Sequence, residues 1–368
     1  MGNEMDDGNY QQRRHAVVIG GGSAGHVHPG VAVAHQLVER GWSVSWIGRS
    51  DSFEQRLVAG AHLKFDSVPA LPVVGRGILG KIRAGVVIMR GVLAARRVLK
   101  RNHAKAVLGT GGYVSVPGVL AAKTLGCRIV LFEPNATMGF GNRLLAPVAN
   151  WIAWGHPGPK SRYQQAVTGV PVNDSFESAP YPDADSPFRI LILGGSQGSE
   201  ELNQVVPDAL TKLDVTVAET LQVTHQCGVQ HQQATKARYQ KVRSSIEVEV
   251  NGFLPNVAQH MAQAHLVVSR AGAQTLAELA AVGRGAILVP LTVAHGHQAL
   301  NAKRLVQAGA GWLLQSPTVD DLVQLLTELL AHRDQVRRAS ESMAKQATPR
   351  AAADLADLIE GVSLGEAA

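Results

Sequence analysis

Ala16-Val17-Val18-Ile19-Gly20-Gly21-Gly22-Ser23-Ala24-Gly25-His26 decides the fold. The four apolar residues read as a short buried strand, since a parallel strand covered on both faces shows a continuous apolar run. The glycines turn the chain. The helix that follows points its free N–H groups at whatever fills the turn. A side chain there would block close backbone approach to an anion. The pattern returns at Ile190-Leu191-Ile192-Leu193, followed by Gly194-Gly195-Ser196-Gln197-Gly198. Two such units predict an α/β protein of two Rossmann-like, doubly wound domains that face each other across a cleft and share a phosphate-bearing substrate.

Outward from these turns, apolar runs alternate with helical stretches, the pattern of parallel sheets with right-handed crossovers. Strands are expected at residues 15–20, 43–48, 106–109, 128–132, 189–193, 222–225, 246–250, 266–269 and 286–290. Helices are expected at 29–40, 80–101, 116–125, 201–212, 229–244, 257–264, 274–282, 297–308, 319–331 and 335–359, with one more starting at 142. Residues 1–13 are polar and read as a disordered tail. The first domain spans 14–173. A stretch rich in Pro, Ser, Asp and Ala at 174–187 reads as the linker, and the second domain spans 188–345. The last helical stretch has no strand after it, so 346–368 is expected to pack back on the first domain.

Composition narrows the class. The chain has 368 residues, enough for two cores, and is 45% hydrophobic, which excludes general disorder. Two isolated cysteines, Cys127 and Cys227, exclude a disulfide framework and fit a reducing compartment. The start lacks a secretory pattern. The longest uncharged run, 106–122, is broken by Gly109, Gly111, Gly112, Pro117 and Gly118, which argues against a membrane span. Residues 1–150 hold 18 Lys and Arg against 8 Asp and Glu, out of 35 and 29 in the whole chain, so the first half is basic and the second mildly acidic. Much of the excess lies in 76–101, which carries Arg76, Lys81, Arg83, Arg90, Arg96, Arg97, Lys100 and Arg101 and no acid. Apolar residues between the charges suit an anionic membrane surface. They equally suit a solvated helix with one face on the core. No aromatic platform or motif points to nucleic acid.

The chain resembles the MurG family of N-acetylglucosaminyltransferases, which have the two-domain GT-B fold. The resemblance runs from about Val17 to Leu314 and rests on motifs in the family's order. These are the first glycine turn with Pro29-Gly30, then Gly109-Thr110-Gly111-Gly112-Tyr113-Val114-Ser115, then Glu133-Pro134-Asn135 with Gly139 and Asn142-Arg143. After them come the second glycine turn with Asn203, Ser269-Arg270-Ala271-Gly272-Ala273 with Thr275 and Glu278, and His297-Gln298 with Asn301-Ala302. The resemblance implies an inverting transfer of GlcNAc from UDP-GlcNAc to the 4-hydroxyl of the MurNAc of lipid I (undecaprenyl-diphosphate-MurNAc-pentapeptide). It further implies peripheral attachment to the cytoplasmic face of a bacterial inner membrane, with 76–101 as the anionic-surface contact.

By that resemblance, the donor site comprises Ser196, Gln197 and Gly198 at the phosphates and Phe253 and Leu254 at the uracil. Ala273, Gln274, Thr275 and Glu278 lie around the ribose, and His297, Gln298 and Asn301 lie at the sugar. The acceptor diphosphate falls to Gly22, Ser23, Ala24 and Gly25, with Tyr113, Asn135 and Asn173 lining the same cleft. His26 is the first candidate for general base, because imidazole titrates near neutral pH, and Glu133 is the second.

Other readings stay open for single residues. His26 also fits a loop-holding hydrogen bond, Glu278 an ordinary first-turn acid, and Arg270 a structural ion pair. Gly20-x-Gly22-x-x-Gly25 alone fits a dinucleotide fingerprint, with Arg49 placed for the 2′-phosphate of NADP. The chain departs from the family at Ala24, where a glycine is usual, and at Phe132 and Pro134 beside Glu133 and Asn135. It departs again at Gly169-Val170-Pro171-Val172-Asn173, where an Arg usually stands in place of Asn173. No metal or cofactor is expected. Asp183-Ala184-Asp185 lies in the linker, and His295 with His297 lacks a third ligand.

Overall fold

The computed structural model describes residues 14–71, 78–183, 186–214, 221–291 and 296–365, with side chains in the helix Ile78–Arg101 described from Arg83 onward. The expected tail at 1–13, Arg76, the side chain of Lys81, residues 184 and 185 of the linker, His295 and the last three residues lie outside that set.

The first sheet has seven strands: β1 His15–Gly20, β2 Ser43–Gly48, β3 Lys64–Ser67, β4 Ala106–Gly111, β5 Arg128–Glu133, β6 Trp151–Trp154 and β7 Gln165–Val167. Their order is β3-β2-β1-β4-β5-β6-β7, and all pairs are parallel. The second sheet comprises β8 Phe188–Leu193, β9 Leu221–Gln226, β10 Glu247–Asn251, β11 Leu266–Ser269, β12 Ala286–Leu288 and β13 Gly311–Leu313. Its order, β10-β9-β8-β11-β12-β13, is again parallel throughout. Both orders reverse beside the first strand of the domain, between β1 and β4 and between β8 and β11. These are the positions where an open α/β sheet binds ligands. Both glycine turns sit there.

Helices cover both faces of each sheet, so β1 and β8 are buried along almost their whole length. In the first domain, one face packs Val18, Trp46, Leu108 and Phe132 and the other Ile19, Ile47, Val107 and Leu131. In the second, Ile190, Val223 and Ile287 sit on one face and Leu191, Val267 and Leu288 on the other.

Four expectations need correction. The first helix begins at Ala24, not at 29. Pro29 lies inside it, where the missing N–H removes one intrahelical bond, and Gly30 beside it lets the helix lie on Trp46 and Val18. The helix expected over 229–244 is a short turn, Val229–His231, and then Gln232–Tyr239. The stretch expected over 335–359 is two helices, Arg333–Ala344 and Ala351–Leu364, with Pro349 in the break. Strands β3, β6, β7 and β13 and the helix Phe53–Gly60 were not anticipated. They are short, and segments such as Lys64–Ser67 carry too few apolar residues to show a period.

The terminal helix Ala351–Leu364 does lie against the first domain. Leu355, Ala356, Leu358, Ile359 and Val362 enter the core that holds Val18 and Trp46. Arg40 pairs with Asp357 and Glu360 at 2.6 and 2.7 Å, and the Trp42 indole N–H donates to Glu360 at 2.7 Å. The linker is strapped to the second domain. Arg284, 1% exposed, donates to the carbonyls of Ala179, Pro180, Ala262, Val282 and Gly283. Its burial lowers its pKa to about 10.

Candidate active site

The acceptor-side turn is built between two strand ends. The Trp46 indole holds the Gly20 carbonyl at 3.0 Å, and the Ser115 hydroxyl donates to the carbonyls of Ile19 and Gly111 at 2.9 and 2.6 Å. The turn after β1 and the Gly109–Tyr113 loop after β4 therefore touch. A methyl group on Gly112 would lie 2.5 Å from the Gly21 carbonyl, which excludes any larger residue there. Gly22 and Ser23 are exposed, Ala24, Gly25 and Tyr113 partly so. Ser23 precedes the helix Ala24–Glu39 without capping it, so the first N–H groups stay available to an anion.

His26 lies under this pair of loops, its ring 3.0 Å from where a Cβ on Gly111 would stand. Burial lowers its pKa, against the opposing pull of the Glu133 carboxylate and the Thr110 carbonyl. The imidazole is thus neutral near pH 7, the form that accepts a proton. Its Nδ1 is buried and has no partner among the described residues.

Glu133 is 2% exposed and closes β5. Its Oε1 accepts from the Asn135 N–H at 3.1 Å and Asn135 Nδ2 at 2.9 Å. Its Oε2 accepts from the Gly139 N–H at 2.8 Å and Asn142 Nδ2 at 3.0 Å. Four donors fill the acceptor positions of one carboxylate. This geometry suits shaping the 133–142 loop.

On the donor side, Gly195, Ser196 and Gln197 are exposed at the end of β8. Ser199 caps the following helix Glu200–Lys212 by accepting from the Leu202 N–H. The turn is pressed onto the end of β9. A methyl on Gly198, at φ +81°, would lie 1.9 Å from the Cys227 carbonyl. Gln226 Nε2 donates to the Gly195 carbonyl at 3.0 Å, and Asn203 Nδ2 to the Cys227 carbonyl at 2.9 Å. Sequence reasoning missed Gln226 and also Gly228, where a methyl would lie 2.3 Å from the Gln197 carbonyl. The only signal was their place at the end of a second apolar strand.

Phe253 is 66% exposed, whereas the Leu254 side chain is in the core, so only the backbone of Leu254 can face a base. Ala273 opens the helix Ala273–Val282, and Thr275 is half-buried. Gln274 donates to the Pro171 carbonyl of the other domain at 3.4 Å and to Glu278 Oε1 at 3.1 Å. Burial pushes the Glu278 carboxyl up to about 7, opposed by that Gln274 bond. Arg270 donates to Glu201 at 2.6 Å and to the carbonyls of Val289 and Pro290, which makes it an ion pair at the strand end.

The two halves meet at the cleft. Asn301, buried in the helix His297–Gln307, accepts from the Ala136 N–H at 3.0 Å and donates to Asn135 Oδ1 at 3.1 Å. His297 Nδ1 meets the Thr137 hydroxyl. Gln298 Oε1 accepts from the Leu291 N–H at 2.9 Å. Asn173 is exposed in the strap after β7, its side chain accepting from the Ser175 N–H. Thr137 and the Ala136 N–H carried no motif and were missed. Among the described residues, no group of three His, Cys, Asp or Glu could hold a metal.

Two parallel sheets, each reversing its order beside a glycine turn, and two domains joined through Asn301 make the GT-B fold that glycosyltransferases use. Residues 16–154 match the glycosyltransferase family 28 N-terminal domain and residues 189–359 the family's C-terminal domain, so the chain belongs to glycosyltransferase family 28. It is similar to the UDP-N-acetylglucosamine–N-acetylmuramyl-(pentapeptide) pyrophosphoryl-undecaprenol N-acetylglucosamine transferase of Acidithiobacillus ferrooxidans. The two are 39% identical over 348 residues, 92% of this chain and 95% of the relative. The enzyme of the same description from Methylibium petroleiphilum is 37% identical over 361 residues, 95% of this chain and 97% of the relative. The crystal structure of Acinetobacter baumannii MurG superposes with a TM-score of 0.76 at 33% identity, covering 94% of this chain and 99% of that one. The family leaves the NADP reading of Arg49 without a place.

Proposed function

We propose that this chain transfers GlcNAc from UDP-GlcNAc to the 4-hydroxyl of the MurNAc of lipid I, with inversion, at the cytoplasmic face of the membrane. The observation that carries the reading is that each sheet presents a glycine turn at its reversal point and that the two domains are joined by Asn301 on Asn135 and by Gln274 on the Pro171 carbonyl. The Gly22–Gly25 turn takes the acceptor diphosphate. The Gly194–Gly198 turn takes the UDP phosphates, where Ser196 and Gln197 and the helix N-terminus stabilise the charge that builds as UDP departs. Glu278 accepts from the ribose hydroxyls. The backbone of Leu254 reads the uracil edge beside Phe253.

In the transfer, the acceptor oxygen bonds to the anomeric carbon as the bond from that carbon to UDP breaks. The hydroxyl proton goes to the neutral His26 imidazole, and the electron pair leaves with UDP. Glu133 holds the Asn135–Asn142 loop against Asn301, which positions the acceptor ring against the donor sugar. Burial of His26 keeps it unprotonated at rest.

The helix Ile78–Arg101 supplies the membrane contact. Val86, Met89 and Leu93 are 50, 62 and 51% exposed among the exposed cations Arg83, Arg90 and Arg97. Apolar tips among cations suit shallow insertion into an anionic surface. No described helix is long and apolar enough to cross a membrane.

The test is an incubation of the full chain with radiolabelled UDP-GlcNAc and a lipid I analogue in EDTA. Labelled disaccharide-lipid is the expected result. Donor binding without product would overturn the acceptor assignment, and absence of both would overturn the reading altogether.

A further inference from the structure

Glu54 opens the helix Phe53–Gly60 and is 2% exposed, directly beneath the acceptor turn. Its Oε2 stands 3.5 Å from the Gly22 N–H, a long contact. Its Oε1 is buried with no partner among the described residues. A methyl on Gly21 would lie 2.6 Å from that Oε1, so the glycine lets backbone and carboxylate touch. No ion pair among the described residues involves Glu54. The outer side of Gly22 is exposed. A buried carboxylate with one long hydrogen bond is poorly compensated, and nothing in the transfer chemistry uses it.

We propose that Glu54 is an internal stand-in for the acceptor's diphosphate, drawing the Gly22 N–H to the inner side of the turn and setting its charge beneath it. The proposal rests on the reading of that turn as the diphosphate site. An N–H aimed at Glu54 is withheld from the outer side, and a diphosphate held there meets the charge of a carboxylate that touches the turn from beneath. Glu54 therefore weakens the grip of the turn. The product carries the same diphosphate as the acceptor, so a turn that held it tightly would hold the product as well. A competing internal carboxylate lets the lipid leave.

The test compares wild type with Glu54→Gln, an isostere without the charge. Pyrophosphate is titrated with the donor side saturated by UDP, and steady-state rates are measured on a soluble lipid I analogue. Glu54→Gln is expected to lower the pyrophosphate Kd and the acceptor KM by about tenfold, the scale of one like-charge contact near a surface. The donor KM stays unchanged and kcat falls. Unchanged or weaker pyrophosphate and acceptor binding in a variant of wild-type Tm overturns the proposal, and it is the result a purely structural Glu54 would give. If the variant does not fold, wild-type protein labelled with 15N and 13C decides. Pyrophosphate should shift both the Gly22 amide and the Glu54 carboxyl resonances. A shift of Gly22 with Glu54 unmoved overturns the proposal. The titration uses neither sugar nor lipid, so its failure counts against Glu54 alone, while a wild type that makes no disaccharide counts against the transferase reading.

Discussion

Glu278 shows how one side chain's surroundings set its chemistry. Burial lifts its carboxyl from an ordinary 4.5 to about 7. The sign follows directly. A raised folded-state pKa means the folded protein binds the proton more tightly, so its contribution to stability is complete below about 4.5 and is lost as pH climbs to about 7. In the proposed donor site ribose hydroxyls donate to the carboxylate, so donor binding should run the other way and strengthen as pH rises through 7. Calorimetric titration of UDP-GlcNAc between pH 5.5 and 8.5 should show this rise in wild type. Glu278→Gln should give weaker binding, by about ten- to a hundredfold, with no such rise. The sugar diphosphate does not titrate in this range, so a rise that survives the substitution would remove Glu278 from the ribose. The motif made Glu278 visible in the sequence. Its shifted acidity was not visible, because it comes from burial in the tertiary fold, which outweighs the opposing Gln274 bond.

At the level of elements, helix Ile78–Arg101 has two faces with different surroundings. Ala95, Val98 and Leu99 enter the core beneath β1 and β4, while Val86, Met89 and Leu93 stay outside. Both faces were apolar in the sequence, so composition alone left a solvated helix and a membrane helix equally open. Packing decided which residues remain for a membrane. Sedimentation with anionic vesicles should show binding that weakens as salt rises from 50 to about 500 mM, since surface charges are screened. Met89→Glu with Leu93→Glu should lower the partitioning by about tenfold or more at fixed salt. Salt-insensitive binding, or a double variant that binds as well as wild type, would remove this helix from the membrane contact.

For the whole molecule, the terminal helix Ala351–Leu364 follows the second domain in sequence but completes the core of the first. Leu355 is fully buried among residues of the first sheet and its helices. Leu355→Ala should cost about 2–5 kcal/mol of stability, read as a lower denaturation midpoint. The loss should appear in the unfolding of the first domain, followed by the tryptophans Trp42 and Trp46, which share that core. A variant with an unchanged midpoint would mean that the helix merely rests on the surface. The cleft depends on the same long-range joining: Asn301 meets Ala136 and Asn135 from 165 and 166 positions further along the chain.

By itself, the sequence determined the two-sheet class, the strands β1, β2, β8 and β11, and the two glycine turns. Those features are local. Apolar runs bury themselves, glycine permits the turn, and neither needs a distant partner. Legible too were the positions of His26, the Ser196–Gly198 turn and Glu278, marked by motif, and the terminal helix, marked by the lack of a following strand. Tertiary structure alone decided the rest. It set the fourfold hold on Glu133, the hidden carboxylate of Glu54 under Gly21, the Arg284 strap and the Asn301 bridge. Apart from the hold on Glu133, whose donors lie two to nine positions on, each is a contact between residues far apart in the chain. Its energy depends on burial and on geometry of a few tenths of an ångström, and a linear pattern of residue types carries neither.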